Sequence, residues 1–317
     1  MQENPQYMPD YDDEIDLFEL FQTLWNGKWW ILLTTMLSAG GAVGISLQLP
    51  NIYVVEAKIA PVSGEGGGVS QLMAQYGGLA SLAGISLPSS SGSEADLLLE
   101  IMQSRAFVGD FIERHGLAPR LVALKTYDPS TLSEVLDPEV YDAGTAQWVR
   151  VVEQPHVAEP SRQQLYGIFA GALTVSVAKG STVKNLSFEH QSPVLGAEVL
   201  TLLIQDIDDY ARAKDRTQSE SSIAYLEAKL EETRLVDLQN VLYQMIESQT
   251  KTLMLAEVNP DYAFRVIDPP IVPELKSKPK RSLIVVIATL AGGMVGVLFV
   301  LIRSAIRHRR ERLAGAA

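Results

Sequence analysis

Two stretches of this chain run for 21 residues each without a charge: WWILLTTMLSAGGAVGISLQL at 29–49 and SLIVVIATLAGGMVGVLFVLI at 282–302. At about 1.5 Å rise per residue, each makes roughly 30 Å of helix, the thickness of a bilayer's hydrocarbon core. Both read as transmembrane helices rather than buried core helices. The first is not a cleavable leader, because seven acids and one base (Lys28) precede it, where a signal peptide needs a short basic segment. Trp25, Trp29 and Trp30 stand where an interfacial aromatic belt belongs. The pattern predicts an N-terminal tail (1–28), a span (29–49), one sizeable domain (50–281), a second span (282–302) and a C-terminal tail (303–317), with both termini on one side.

Between the spans the periodicity changes several times. Tyr53, Val55, Ala57 and Ile59 alternate with Val54, Glu56 and Lys58, which predicts a strand over 52–60. Residues 63–93 are Gly- and Ser-rich at both ends, with Leu72, Met73, Tyr76, Leu79, Leu82 and Ala83 at helical spacing. That middle is either a short apolar helix or a surface loop. From Glu94 to Gly116 the apolar positions 97, 98, 101, 102, 107, 108, 111 and 112 predict a helix, with Ser93 and Asp96 as a loose capping box. Five prolines punctuate residues 118–166, where short helices and turns are expected. A hairpin-like pair follows at 172–178 and 183–190.

The longest uninterrupted stretch runs from Val194 to Val258, without proline and with Gly196 as its one glycine. It predicts a very long helix. Leu195, Val199, Leu202, Leu203 and Ile207 form a docking stripe, residues 212–222 are polar on every face and so project into solvent, and a seam resumes at Ile223, Leu226 and Leu230, then at Leu235, Leu238, Leu242 and Met245. That seam fits packing within the domain or against a neighbouring copy. Alternation over 262–268, closed by Pro269, predicts a last strand.

Charge adds orientation. The tails carry net −6 and +4 and the middle −10, making −12 in all. An acidic middle argues against nucleic acid as a partner. Five arginines in the C-terminal tail favour a cytoplasmic placement, against Lys276, Lys278, Lys280 and Arg281 at the other end of the same span. Catalytic chemistry is not indicated. The four histidines are scattered, there is no cysteine, and GEGGG at 64–68 lacks the Lys-Ser/Thr pair of a phosphate loop. The acid pairs Asp208–Asp209 and Glu231–Glu232 read as solvated helix faces. No catalytic, cofactor or metal site is expected, and a scaffold or regulator is.

The junction before the second span is more specific. Pro270 and Pro273 are followed by Lys278-Pro279-Lys280, then by Gly292 and Gly296 at GxxxG spacing. This resembles the proline-rich signature of the Wzz-type chain-length determinants, the polysaccharide co-polymerases of bacterial surface polysaccharide; Lys278 stands where that pattern usually has serine. EIDLFELFQTLWNGKWWI (14–31) and YAFRVIDPP (262–270) are similar to the family's two approaches to its spans. The resemblance implies an α+β protein with two transmembrane helices flanking a periplasmic α/β domain, built on a small mixed sheet and a very long projecting helix. It implies an inner-membrane, non-enzymatic scaffold with both termini cytoplasmic. Such proteins form ring- or bell-shaped homo-oligomers (an octamer is favoured here) and set the modal length of a polymer, typically O-antigen, made by a Wzy-type polymerase. The expected partners are further copies, that polymerase, the polysaccharide or its lipid-linked intermediate, and membrane lipids, with no cofactor. A kinase-fused form is not expected, because the chain continues only 15 residues beyond the second span.

From the residues themselves, Gly292 and Gly296 are expected to let helices approach closely in the bilayer. Lys276, Lys278, Lys280 and Arg281 are expected to meet phosphate, of a phospholipid or of a lipid-linked pyrophosphate. The competing class is a two-span sensor or an export adaptor.

Overall fold

A computed structural model describes residues 17–62, 94–153, 157–177 and 181–314. The expected helix about Leu72–Ala83, the Ser93 cap and GEGGG lie outside the described residues. The chain divides into two compact units: residues 1–51 with 278–317, and residues 52–277.

The first unit contains α1 (Leu17–Asn26), α2 (Lys28–Gln48) and α9 (Arg281–Ala314), the last two meeting both length and composition requirements for a membrane span. Their outward faces are apolar and exposed, as lipid-facing surface must be, with Leu33, Met36, Leu37, Leu290, Met294 and Leu298 all uncovered.

The second unit begins with β1 (Tyr53–Pro61), whose inward residues Tyr53, Val55, Ala57 and Ile59 are buried as the alternation predicts. Next come α3 (Glu94–Met102) and α4 (Arg105–Arg114), two helices where one was expected. Ser104 is the reason. Its backbone is extended and its side chain accepts the Phe107 amide, so a residue that competes for backbone bonds starts a new helix.

Residues 118–166 also differ from expectation. After α5 (Ala118–Val122) come two small hairpins, β2 (Leu124–Asp128) with β3 (Ser133–Leu136) and β4 (Tyr141–Asp142) with β5 (Gln147–Trp148). Aspartates build their turns. Asp128 accepts from the Ser130 amide and from the Ser130 and Thr131 hydroxyls; Asp142 accepts from the Gly144 amide and the Thr145 hydroxyl. The first turn carries Pro129 and the second Gly144, and neither has an Asn-Gly pair.

A full capping box of Ser161 and Gln164 opens α6 (Arg162–Ala172), which runs straight into β6 (Leu173–Val177); β7 (Lys184–His190) pairs back on it. The main sheet has the order β6-β7-β1-β8, where β8 is Phe264–Asp268. The sheet expected to be mixed is antiparallel in each pairing, and residues 178–183 are too short a link for a parallel crossover between β6 and β7. Phe111, Phe169 and Phe188 stack in sequence beneath it.

Ser192 caps α7 (Pro193–Glu232), whose Leu195, Val199, Leu200, Leu203 and Ile207 complete the core. The helix expected to continue to Val258 instead stops. Thr233 and Leu235 are extended, and α8 (Val236–Val258) starts afresh. The α8 carboxy-terminal end lies beside Arg212, so the two helices form an antiparallel hairpin. A break costs a few backbone bonds, and the reversal covers part of the apolar seam. Leu226 is buried and Ile223, Leu230 and Leu242 are half-buried, whereas Leu235, Leu238 and Met245 stay exposed on α8 and its approach.

Candidate functional site

In the first unit the interface between α2 and α9 is made of small residues. Gly292, Gly296 and Val300 are buried on α9 at four-residue intervals; Thr34, Ser38, Ala42 and Ser46 recur at the same interval on α2. A Cβ at Gly292 would collide with Ser38 Cβ, and one at Gly296 with Thr34 Oγ1, while also sitting 3.0 Å from Ile31 Cα. Gly27 meets Val300 in the same way. The Ser38 hydroxyl donates to the Ala288 carbonyl across the pair at 2.7 Å, and Thr34 and Thr35 return theirs to Ile31 O. Van der Waals contact and interhelical hydrogen bonds hold helices together in lipid, so the glycines are what permits this approach. Their partner is α2 of the same chain. Thr34, Ser38 and Gly27 were not singled out from sequence, although small residues four apart on both spans were the signal.

The proline and cation segment divides between the units. Pro270, Pro273 and Lys276 follow β8 in the second, while Lys278, Pro279, Lys280 and Arg281 lead into α9 in the first. Lys276, Lys278 and Lys280 are exposed. Arg281 is half-buried, its guanidinium donating to Asn51 Oδ1 at 3.2 Å.

Two polar braces hold the second unit. Asp208, expected to be solvated, is 8 % exposed, whereas Asp209 is exposed. The Asp208 carboxylate accepts from the amides of Tyr262, Ala263 and Phe264 and from Arg212 Nη2. Arg212 also donates to the carbonyls of Ala256, Asn259 and Pro260. One ion pair thereby ties the turn between α8 and β8 onto α7. Its sequence signal was an acid and a base four apart, with the acid beside the docking stripe. Nearby, burial and a hydrogen bond to Asp215 push the Tyr262 phenol well above its ordinary pKa.

The second brace joins Arg120 to Glu134 and Glu198, with the Ser192 hydroxyl donating to Glu134. Burial pushes the Glu134 carboxyl up, but the bonds from Arg120 and Ser192 outweigh it and hold the pKa below the ordinary value. Burial lowers the His190 pKa despite the attraction of Glu134, and its Nδ1 accepts the Ser192 amide. Among the described residues no group of three or more His, Cys, Asp or Glu is placed to hold a metal.

A bilayer-length helix pair with a glycine interface, and an α+β domain between its two strands of chain, define a two-span membrane-protein architecture. Residues 13–115 match the family model described as Wzz, chain length determinant protein. Residues 228–305 match that of GNVR, a G-rich domain described on tyrosine kinases. The likeness to the Wzz-type chain-length determinants read from the sequence therefore stands, carried by residues 13–115. No curated protein matches. Among solved structures, a full-length bacterial polysaccharide co-polymerase is 18% identical with TM-score 0.40, covering 92% of this chain and 99% of its own. A fragment of WzzB, the polysaccharide co-polymerase of Salmonella Typhimurium, is 16% identical with TM-score 0.29, covering 72% of this chain and 100% of its own.

Proposed function

We propose that this chain regulates, without catalysing, the modal length of a lipopolysaccharide O-antigen or related surface polysaccharide made by a Wzy-type polymerase. It acts as an inner-membrane homo-oligomer, a ring or bell with an octamer favoured, with both termini cytoplasmic and the domain of residues 52–277 periplasmic. The observation that carries the reading is the Wzz match over 13–115, which takes in α1, α2, β1, α3 and α4 and so joins the first span to the domain core. The GNVR match favours a second reading: a co-polymerase that works beside a separate tyrosine kinase on another surface polysaccharide.

Deletion of the gene with gel analysis of surface polysaccharide tests both. The expected result is a polymer that is still made but has lost its modal length, restored by the wild-type chain. Loss of control confined to capsule or exopolysaccharide selects the second reading. Abolished synthesis, or an unchanged ladder for every polymer, refutes length control and favours a two-span export adaptor or sensor.

A further inference from the structure

The end of the helix pair that leads to residues 52–277 contains a cleft of about 420 Å³, lined by Val43, Ser46, Leu47, Arg281, Ser282, Val285 and Val286. Its size falls within the roughly 300–1,000 Å³ range of small-ligand sites. The walls are aliphatic apart from Ser46, Arg281 and Ser282, and the first two carry buried polar atoms. Ser46 is 2 % exposed and its hydroxyl has no hydrogen-bond partner among the described residues. Arg281 Nε is buried without a partner as well. In a bilayer each such orphan is costly, because no water replaces the missing bond. Arg281 is also the first residue of α9, where the positive end of the helix dipole adds to its charge.

The two orphans ask for the same thing, an oxygen acceptor with negative charge, and the aliphatic walls ask for a hydrocarbon chain. We infer that this cleft is a binding site for one anionic phospholipid, its phosphate accepting from Arg281 and Ser46 and an acyl chain lying along Val43, Leu47, Val285 and Val286. Charge complementarity selects the occupant: a zwitterionic lipid brings its own cation to the guanidinium, and a protein helix brings no anion. The lysines of the proline segment are exposed and stay outside this site. The inference rests on the two-span reading but not on polymer-length control.

The test is native mass spectrometry of the full chain in detergent, with added phosphatidylglycerol or phosphatidylcholine. The expected result is one retained phosphatidylglycerol per chain, lost about tenfold more readily from Arg281→Gln, as removal of a charge-assisted bond implies. Val286→Trp alters an exposed wall rather than the helix contact, and should expel the lipid with Arg281 intact. Equal retention of the two lipids by the wild type, or by wild type and Arg281→Gln, overturns the inference. So does displacement of phosphatidylglycerol by far less polyprenyl diphosphate, which would assign the cleft to the lipid-linked intermediate. Lost lipid retention with a normal polysaccharide ladder separates this site from length control, and the converse leaves it standing.

Discussion

Replacing Asp208 by alanine would remove one acceptor from four donors. The amides of Tyr262, Ala263 and Phe264 lie 3.0, 2.6 and 3.3 Å from Oδ1, and Arg212 Nη2 lies 3.0 Å from Oδ2. The Phe264 amide is buried, so its loss is felt in full; the Tyr262 and Ala263 amides are part-buried, and water offsets some of theirs. At about 1–3 kcal/mol for a buried donor left unmade, and more for a charge, the cost comes to roughly 3–5 kcal/mol. For a domain of this size that lowers Tm by about 10 °C, at 2–4 °C per kcal/mol. Asp208→Asn keeps one oxygen and should lose less than half as much. Arg212→Ala should be non-additive with Asp208→Ala, because both cut the same tie between α7 and the turn at 259–262. The assay is thermal unfolding of the full chain in detergent, followed by tyrosine signals, with hydrogen exchange at residues 260–264 as the local readout. A shift under about 2 °C, or unaltered exchange at 262–264, would refute the claim that this carboxylate anchors β8.

Three other outcomes are expected. Gly196→Ala places a methyl 2.8 Å from Val55 Cγ2 in a filled core, so it should destabilise by about 1–3 kcal/mol in denaturant titration and be largely rescued by Val55→Ala. His190 has its pKa lowered from 6.5 in the fold, so the unfolded chain takes the proton first and stability should fall as pH drops below about 6.5. Thermal unfolding across pH should show that slope in the wild type and not in His190→Gln; Glu134, its pKa held down, adds its own loss nearer pH 4.5 and below. Gly292→Leu with Gly296→Leu should force α2 and α9 apart, lower the amount of protein in the membrane and shift the modal band of the polysaccharide gel; an unchanged band would remove the helix pair from length control.

Elements with a single strong period were legible. The two spans, the β1 alternation, the β6–β7 hairpin and the docking stripe of α7 each place apolar residues by a rule that local sequence obeys. What was not legible depends on side chains acting on backbone. Ser104 starts a second helix, Asp128 and Asp142 build turns, and extended Thr233 lets α8 fold back where composition alone favours one long helix. Asp208 is the sharpest case. Beside Asp209 it looks like half of a solvated pair, and only the return of the chain at residue 262 supplies the three amides that make its burial favourable.

Gly292 and Gly296 lie against α2 of the same chain, and that placement bears on assembly. A GxxxG face can receive one helix at close approach. Here α2 occupies it, with Thr34 and Ser38 filling the space that the absent Cβ atoms leave. A neighbouring copy cannot use the same face without unseating α2. Contacts between copies in the bilayer must therefore fall on the outward aliphatic faces, where packing against a helix and packing against lipid differ little. The proposed ring then depends for its specificity on the domain of residues 52–277, and the spans act as a preformed two-helix anchor. Under that division, the glycine-to-leucine pair should fail through loss of the anchor in each chain, with the detergent-extracted protein losing helix pairing before it loses oligomer contacts. Cross-linking through residues of the domain, compared between wild type and the double variant, reads that order directly.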